Sequence, residues 1–192
     1  MPAWAWILIV VLAIVVIAAV AWGAAQQRRR KRLQEQFGPE YERTVQQRDS
    51  RREAESELEE RQSRREALNI RPLSAAAQSR YADEWRGTQS RFVDDPSNAV
   101  RQAQSLVLAM LRERGYPMDD FEQRAADISV DHPVVVENYR AAYRISGMND
   151  DGSAGTEDLR QAMVHYRTLF EELLEGPVSP GPDDRNDVSA TS

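Results

Sequence analysis

Two histidines and the carboxylates near them are the residues of this chain whose types could hold a metal ion or move a proton. His132 stands beside Asp131, directly before a proline, and His165 lies on the polar face of a strongly periodic segment. A metal site would need both imidazoles to converge with carboxylates such as Asp131 or Glu137, and sequence spacing does not establish that convergence. We therefore expect His132 to occupy a turn or a helix cap and His165 to be solvated.

The acidic segment 149–153 is a second candidate, because its Asn-Asp-Asp-Gly-Ser sequence is similar to part of a calcium-binding loop. If Gly152 takes the sixth position of such a loop, Gly147 takes the first and Asp158 the twelfth, so the required first carboxylate and final glutamate are missing. The chain also contains no glycine-rich phosphate-binding motif and no nucleophile-elbow motif. The sequence predicts no catalytic, cofactor-binding or metal-binding residue, and we expect a protein that is not an enzyme.

Composition narrows the class of protein further. The absence of cysteine excludes disulfides, lipid attachment through a thiol and thiolate metal sites. The chain has 24 arginines and a single lysine, Lys31, a bias typical of a bacterium with a high-GC genome. Residues 26–72 carry a net charge of +3 and residues 73–192 a net charge of −9. Because the distal part would be repelled by nucleic acid, we expect no nucleic-acid partner.

The clearest element that could position any of these groups is an uncharged, mostly aliphatic run over residues 3–25. As a helix it would extend about 34 Å, enough to cross a hydrocarbon core of roughly 30 Å. Trp4 and Trp6 stand at one end and Trp22 at the other. The rise from Trp4 to Trp22 is about 27 Å, so the indoles would lie near the two headgroup layers. The sequence predicts a transmembrane anchor over residues 1–27.

Five cations follow this run at once: Arg28, Arg29, Arg30, Lys31 and Arg32. The positive-inside rule places them on the cytoplasmic face of the plasma membrane, with the N-terminus outside and the remaining chain inside. Beside anionic headgroups each cation can gain about 1 kcal/mol. The sequence thus predicts a single-pass protein with a membrane-interface site made of these cations and the three tryptophans.

A secreted protein, released by cleavage of a signal peptide, is the alternative. Residues 23–25, Gly-Ala-Ala, are small enough for a signal peptidase. The apolar run is longer than the usual ~7–15 residues of a signal core, and the main positive charge follows it instead of preceding it. We therefore favour an anchor that is retained.

Residues 28–72 are interpreted as a basic juxtamembrane segment and a charged helical stalk. Gly38 and Pro39 predict that one helix stops and another begins. The region 40–68, which would extend roughly 40 Å as one helix, is dominated by arginine, glutamate, glutamine and alanine. Its few apolar residues are too sparse for a firm coiled-coil assignment. They leave open a solvated stalk or a helix that binds a partner or self-associates.

Residues 73–176 are the part able to form a packed domain, and their apolar periodicity predicts four or five helices. Asp95 and Pro96 predict a helix start, residues 105–111 the most buried helix, and Gly115 its end. Thr156 is expected to cap the last helix. Residues 177–192 lack the apolar content of a core and are expected to be a disordered tail. The predicted fold class is all-α: a transmembrane helix, a charged stalk and a small bundle.

Several segments of the chain resemble those of a group of uncharacterised single-span membrane proteins from high-GC Gram-positive bacteria. They include FGPEYERTV at 37–45, RREALNIRPL at 64–73, RFVDDP at 91–96 and TEDLRQAMVHYRTLFEELL at 156–174. The resemblance implies a bacterial protein associated with the cell envelope, and it implies no activity and no site residue.

Two functions remain open at this stage. The favoured one is a cytoplasm-facing interaction or scaffolding module that recruits a protein partner or a second copy of itself. The alternative is a small-ligand sensor or an enzyme with a pocket between helices of the bundle, near aromatic residues on helical faces: Tyr81, Trp85, Tyr139, Tyr143 and Tyr166.

Overall fold

The computed structural model describes the backbone of residues 3–176 and the side chains from Leu12 to Gly176. Its regular elements are eight α-helices: α1 (Ala3–Phe37), α2 (Pro39–Gln47), α3 (Arg51–Ala67), α4 (Ala75–Arg91), α5 (Pro96–Arg114), α6 (Phe121–Asp131), α7 (Val136–Asp150) and α8 (Thr156–Glu175). The described residues contain no β-strand, so the all-α class is confirmed. The interfacial roles predicted for the Trp4 and Trp6 side chains, and the tail predicted over 177–192, lie outside the described part of the chain.

The chain divides into two compact units after Glu60, within α3. The predicted boundary after residue 72 therefore lies inside the second unit. The reason lies in long-range pairing, because arginines at the end of α3 contact α6: Arg61 lies 3.4 Å from the hydroxyl of Ser129, and Arg65 binds Asp131 at 2.5 Å. A charged helix segment that looks solvated in the sequence is thus part of a folded unit.

The first unit consists of α1, α2 and the beginning of α3. The helix break predicted at Gly38 is confirmed: Gly38 has φ of +47°, and Pro39 is the first residue of α2. The single rod considered over 40–68 is instead two helices separated by residues 48–50. Apolar residues of the three helices form a small core and are at most 1 % exposed: Leu33, Phe37, Tyr41, Ala54 and Leu58. Residues too sparse for a coiled-coil seam suffice for this intramolecular packing.

Part of the predicted transmembrane segment, residues 1–27, precedes the first described side chain, Leu12. Among the side chains that the structure describes, which start at Leu12, no helix has an apolar stretch long enough to cross a membrane.

The second unit contains five helices, α4 to α8, within the predicted range of four or five. The apolar helix expected to be the most buried is α5, which contacts α4, α7 and α8. Its buried residues include Val107, Met110 and Leu111, none of them exposed to solvent. The stripe predicted on the last helix faces the same core through seven buried side chains: Leu159, Ala162, Met163, Tyr166, Leu169, Phe170 and Leu173.

Local capping residues define most helix ends in this unit. The side chain of Asp95 accepts a hydrogen bond from the Asn98 amide, as predicted, and Gly115 ends α5 with a φ of +100°. Thr156 differs from the prediction, because it is the first residue inside α8 and not its cap. Gly155 precedes it, and the Gly155 amide donates to the carboxylate of Asp158 at 2.9 Å. A carboxylate in the first turn thus performs the capping that a hydroxyl was expected to perform.

Candidate functional site

The basic cluster after the apolar run is split by the fold into two groups. Arg28, Lys31 and Arg32 are exposed on α1. Arg29 and Arg30 are partly buried, and Arg29 forms a two-point ion pair with the carboxylate of Glu59 on α3. The five cations, which are consecutive in the sequence, are thus an exposed group and a partly buried group in the fold.

The described side chains in the apolar part of α1, from Leu12 to Ala25, are exposed on every side of the helix. Ile14, Val15, Val16 and Ile17 are consecutive and each is 53–68 % exposed. Because successive residues of a helix point about 100° apart, four in a row cover all faces of the helix. Trp22, the one predicted interfacial tryptophan whose side chain is described, is 75 % exposed at the end of this surface.

The start of α3 lies beside α1, because α2 runs back along α1 and α3 then runs in the same direction as α1, so that Gln26 meets Glu55 and Arg29 meets Glu59. Gln26 of α1 donates to the Glu55 carboxylate at 3.3 Å, and the Tyr41 hydroxyl donates to its other oxygen at 2.9 Å. Glu55 is 2 % exposed. Burial and the neighbouring Glu55 raise the pKa of Tyr41, so this hydroxyl remains a proton donor at neutral pH.

A groove opens between α1 and the start of α3. Its volume is about 480 Å³, and seven residues line it: Trp22, Gln26, Arg29, Arg30, Arg51, Arg52 and Glu55. Four of these are arginines, two from each helix. The groove therefore joins cations that are more than 20 residues apart in the sequence, at the end of the apolar surface.

A buried polar cluster, here called the Arg114 cluster, lies in the second unit. It consists of Arg65, Arg114, Tyr116, Asp131, His132 and Glu172. Asp131 accepts from Arg65 and, at 2.7 Å, from the Tyr116 hydroxyl. Arg114 is fully buried and donates to the Leu173 carbonyl at 3.0 Å, while its Nε and Nη2 atoms have no hydrogen-bond partner. Burial lowers the pKa of Arg114, although Tyr116 and Asp131 oppose this shift.

His132 caps the C-terminus of α6, which confirms its predicted place at a helix cap. Its Nδ1 lies 2.9 Å from the Glu172 carboxylate, and its Nε2 is buried without a partner. Burial lowers the pKa of His132 despite this carboxylate, so the imidazole is disfavoured as a cation. His165 was expected in solvent but is half-buried, with its Nδ1 atom 2.8 Å from the Asn138 side-chain oxygen.

The candidate acid and base groups of the second unit are paired with other side chains. Asp131 pairs with Arg65, His132 with Glu172, and Arg140 with Glu137. No group of three or more potential metal ligands occurs among the residues described.

The aromatic residues named for a ligand pocket are instead used in packing. Trp85 stacks on Phe170 at a centroid distance of 4.6 Å, and the Tyr166 hydroxyl bonds with Ser146 at 2.8 Å. Tyr143 stacks on Phe121. Two surface grooves of the bundle, beside α4 and beside α8, are lined by other residues.

Sequence reasoning missed Arg114, Tyr116, Arg51 and Arg52. One signal for Arg114 was available, because it continues the face that carries Val107, Met110 and Leu111 at helical spacing. A cation on an apolar stripe is a candidate for burial. Arg51 and Arg52 offered no such signal, since they belong to α3 and lie near α1 only because α2 reverses the chain.

No protein family, curated protein or solved structure matches this chain. The resemblance to single-span proteins of high-GC Gram-positive bacteria therefore stays a prediction, and the function is argued from the chain's own residues.

Proposed function

We propose that this protein is a membrane-anchored interaction module. Its N-terminal helix crosses the plasma membrane once, with the N-terminus outside. The helical body lies on the cytoplasmic side, where it holds a protein partner or a second copy of itself at the membrane.

The observation that carries this proposal is that every side chain of α1 described from Leu12 to Ala25 is exposed, on all faces of the helix. A helix that is apolar all round is stable when protein or lipid surrounds it, because water cannot solvate it favourably. The four residues from Ile14 to Ile17 point to different sides of the helix, and each of them is exposed. The uncharged run extends back to Ala3 in the sequence. The length of the run and the tryptophans at its two ends favour lipid as this environment.

The charges that follow support the orientation. Arg28, Lys31 and Arg32 are exposed directly after the apolar surface, where cytoplasmic anionic lipid would attract them. The helix continues without a break to Phe37. The anchor and the folded first unit thus share one helix, which would hold that unit close to the membrane surface.

The interaction role rests on the charge and surface of the body. Residues 73–192 carry a net charge of −9, so anionic lipid would repel this part and leave it free for partners in solution. Candidate acid and base groups in the second unit are paired with other side chains, and this pairing favours a binding role over catalysis.

The absence of cysteine allows a clean test of topology. Single-cysteine variants Ala3→Cys and Ser90→Cys would be treated with a membrane-impermeant maleimide in spheroplasts, with and without permeabilisation. We expect labelling of Ala3→Cys in intact spheroplasts and labelling of Ser90→Cys only after permeabilisation. The reverse pattern would overturn the orientation, and release of both variants by alkaline washing would overturn the anchor.

The interaction role has its own test. Single cysteines at exposed positions of the two units, Ser56→Cys and Ser90→Cys, would be crosslinked in native membranes with a short bismaleimide or a cysteine-to-lysine reagent. We expect a covalent product larger than the monomer from at least one position, identified by mass spectrometry. Monomer alone from both positions, at full modification of the cysteine, would remove the basis of the interaction proposal.

A further inference from the structure

The groove between α1 and the start of α3 has the composition of a phosphate-binding site. We propose that it binds the phosphate group of one anionic phospholipid in the cytoplasmic leaflet. This inference rests on the proposed function, because that function places the groove next to the lipid headgroups.

The fold brings arginines of two helices together. Arg29 and Arg30 belong to α1, whereas Arg51 and Arg52 open α3. The bond between Gln26 and Glu55 and the ion pair between Arg29 and Glu59 hold the two helices side by side. The four guanidinium groups consequently border one groove of about 480 Å³, which is large enough for a phosphate and its neighbouring atoms.

Three of these arginines, Arg30, Arg51 and Arg52, have N–H donors without an acceptor in the described part of the chain. Arg51 and Arg52 are exposed, and neither forms an ion pair with another residue in the described part of the chain. The Nε atom of Arg30 is buried and has no hydrogen-bond acceptor. A buried N–H without an acceptor costs free energy, so an incoming anion that accepts its hydrogen bond would be stabilised. Arg29 is different, because Glu59 already occupies its guanidinium.

The carboxylate in the groove opposes anion binding only weakly. Glu55 lines the groove, yet it is 2 % exposed. Its two oxygens accept hydrogen bonds from the Tyr41 hydroxyl and the Gln26 amide. Four arginines against two carboxylates, Glu55 in the groove and Glu59 on Arg29, leave the groove with a net positive charge. The start of α3 adds the positive end of a helix dipole to the same place.

The groove lies at the end of the apolar surface of α1, next to the expected depth of the lipid headgroups. Trp22 lines the groove and is exposed at the end of the apolar surface, and a tryptophan at that place lies at headgroup depth. Arg29 and Arg30 lie about 10–12 Å further along the helix axis. Long arginine side chains can extend back toward the interface, and a guanidinium can hold two phosphate oxygens at once. Lipid phosphate is the anion that this location supplies.

The test uses the full chain reconstituted into nanodiscs of phosphatidylcholine with a minority of phosphatidylglycerol. After extraction into mild detergent, native mass spectrometry would count the phospholipids that remain bound. We expect one retained phosphatidylglycerol on the unaltered chain. In the double variant Arg51→Gln/Arg52→Gln, we expect its affinity to fall about tenfold, which corresponds to ~1.4 kcal/mol.

The matched control is Arg101→Gln/Arg112→Gln, which removes the same charge from exposed residues of α5 that do not line the groove. We expect this variant to retain the lipid. An equal loss in both variants would show that only the total charge matters and would overturn the site. A third variant, Arg51→Lys/Arg52→Lys, keeps the charge without the planar fork and is expected to retain the lipid less well than the unaltered chain.

Two further measurements distinguish lipid phosphate from free phosphate, and a failure of the groove inference from a failure of the proposed function. Retention that is unchanged in millimolar inorganic phosphate supports a lipid site, whereas displacement by inorganic phosphate alone would overturn the choice of lipid. If cysteine labelling confirms the anchor and phosphatidylglycerol is not preferred over phosphatidylcholine, the groove inference fails and the proposed function stands. If alkaline washing releases the chain, the proposed function itself has failed.

Discussion

Arg114 is a buried cation of the second unit whose hydrogen bonding is incomplete. Its side chain is fully buried, but only one of its three guanidinium nitrogens has an acceptor. Asp131, a carboxylate of the same cluster, is held by Arg65 and Tyr116. A buried charge with incomplete hydrogen bonding is destabilising relative to an apolar group of the same size.

We therefore expect Arg114→Met to raise the free energy of unfolding by about 1 kcal/mol, because it removes a poorly paired buried cation. Asp131→Ala should have the opposite effect and cost about 3 kcal/mol, since it would leave Arg65 without its carboxylate and Arg114 less compensated. Urea unfolding of the full chain in mild detergent, followed by fluorescence, measures both. Destabilisation of the two variants by equal amounts would contradict this account of Arg114.

The histidines predict a pH dependence with a definite sign. Burial lowers the pKa of both His132 and His165 in the folded state below the ordinary value of 6.5. The unfolded chain therefore binds protons first as the pH falls, so stability is complete above 6.5 and decreases from there toward the lower folded pKa. The slope reaches at most about 1.4 kcal/mol per pH unit for each proton.

Unfolding of the full chain at several pH values between neutrality and pH 5 tests this dependence. We expect His132→Asn to remove the larger part of the pH slope, because His132 is almost completely buried, and His165→Asn to remove the smaller part. Asp127 acts in the opposite direction at lower pH, since burial raises its pKa. A slope unchanged in the His132 variant would show that other groups control the acid response.

At the scale of helices, the helix ends are the places where the identity of a residue matters most for the local structure. Gly115 ends α5 at a φ of +100°, and the Asn69 carbonyl lies 2.6 Å from the position that a Cβ atom would take. The Arg71 amide donates to the Arg114 carbonyl at 3.0 Å beside it. The segment after α3 is thus held against the end of α5, and only glycine fits between them.

We expect Gly115→Ala to destabilise the protein by about 2–4 kcal/mol, because backbone strain at positive φ adds to the clash with Asn69. Gly147→Ala is the matched control, since Gly147 is exposed within α7 and its added Cβ would meet no atom within 4 Å. There we expect a gain of about 0.5–1 kcal/mol from helix propensity. Thermal unfolding followed by circular dichroism distinguishes the two, and equal effects would contradict the close approach of Asn69.

At the scale of the whole molecule, the position of the domain boundary is the main consequence of long-range pairing. Periodicity places the start of the bundle at residue 73, but the second compact unit begins at Arg61. The end of α3 supplies Arg65 to Asp131, and Ile70 packs against the core. Residues that look like the end of a stalk are part of the packed unit.

We expect a fragment of residues 61–176 to be more stable than a fragment of residues 73–176 by about 2–3 kcal/mol. The shorter fragment would leave Asp131 without its arginine partner. It would also expose the part of the core that Ile70 covers. Urea unfolding of both fragments measures the difference. The variant Arg65→Met in the longer fragment measures how much of the stability difference comes from the ion pair. Equal stability of the two fragments would instead support a boundary at residue 73.

The sequence by itself determined the features that depend on neighbours along the chain. The break at Gly38 and Pro39, the cap at Asp95, the end at Gly115 and the stripe of α8 all followed from short-range rules. Helix periodicity and capping act over three or four residues, so they can be recognised without a tertiary structure. The all-α class followed for the same reason.

Only the tertiary structure decided which charged groups meet. Arg51 and Arg52 border the same groove as Arg29 and Arg30, and Arg65 pairs with Asp131. His132 of α6 contacts Glu172 of α8. These partners are separated by more than 20 residues, and their distance depends on chain reversals and core packing that no local pattern encodes. The sequence therefore predicted a basic membrane flank, whereas the fold selected the arginines that form a site.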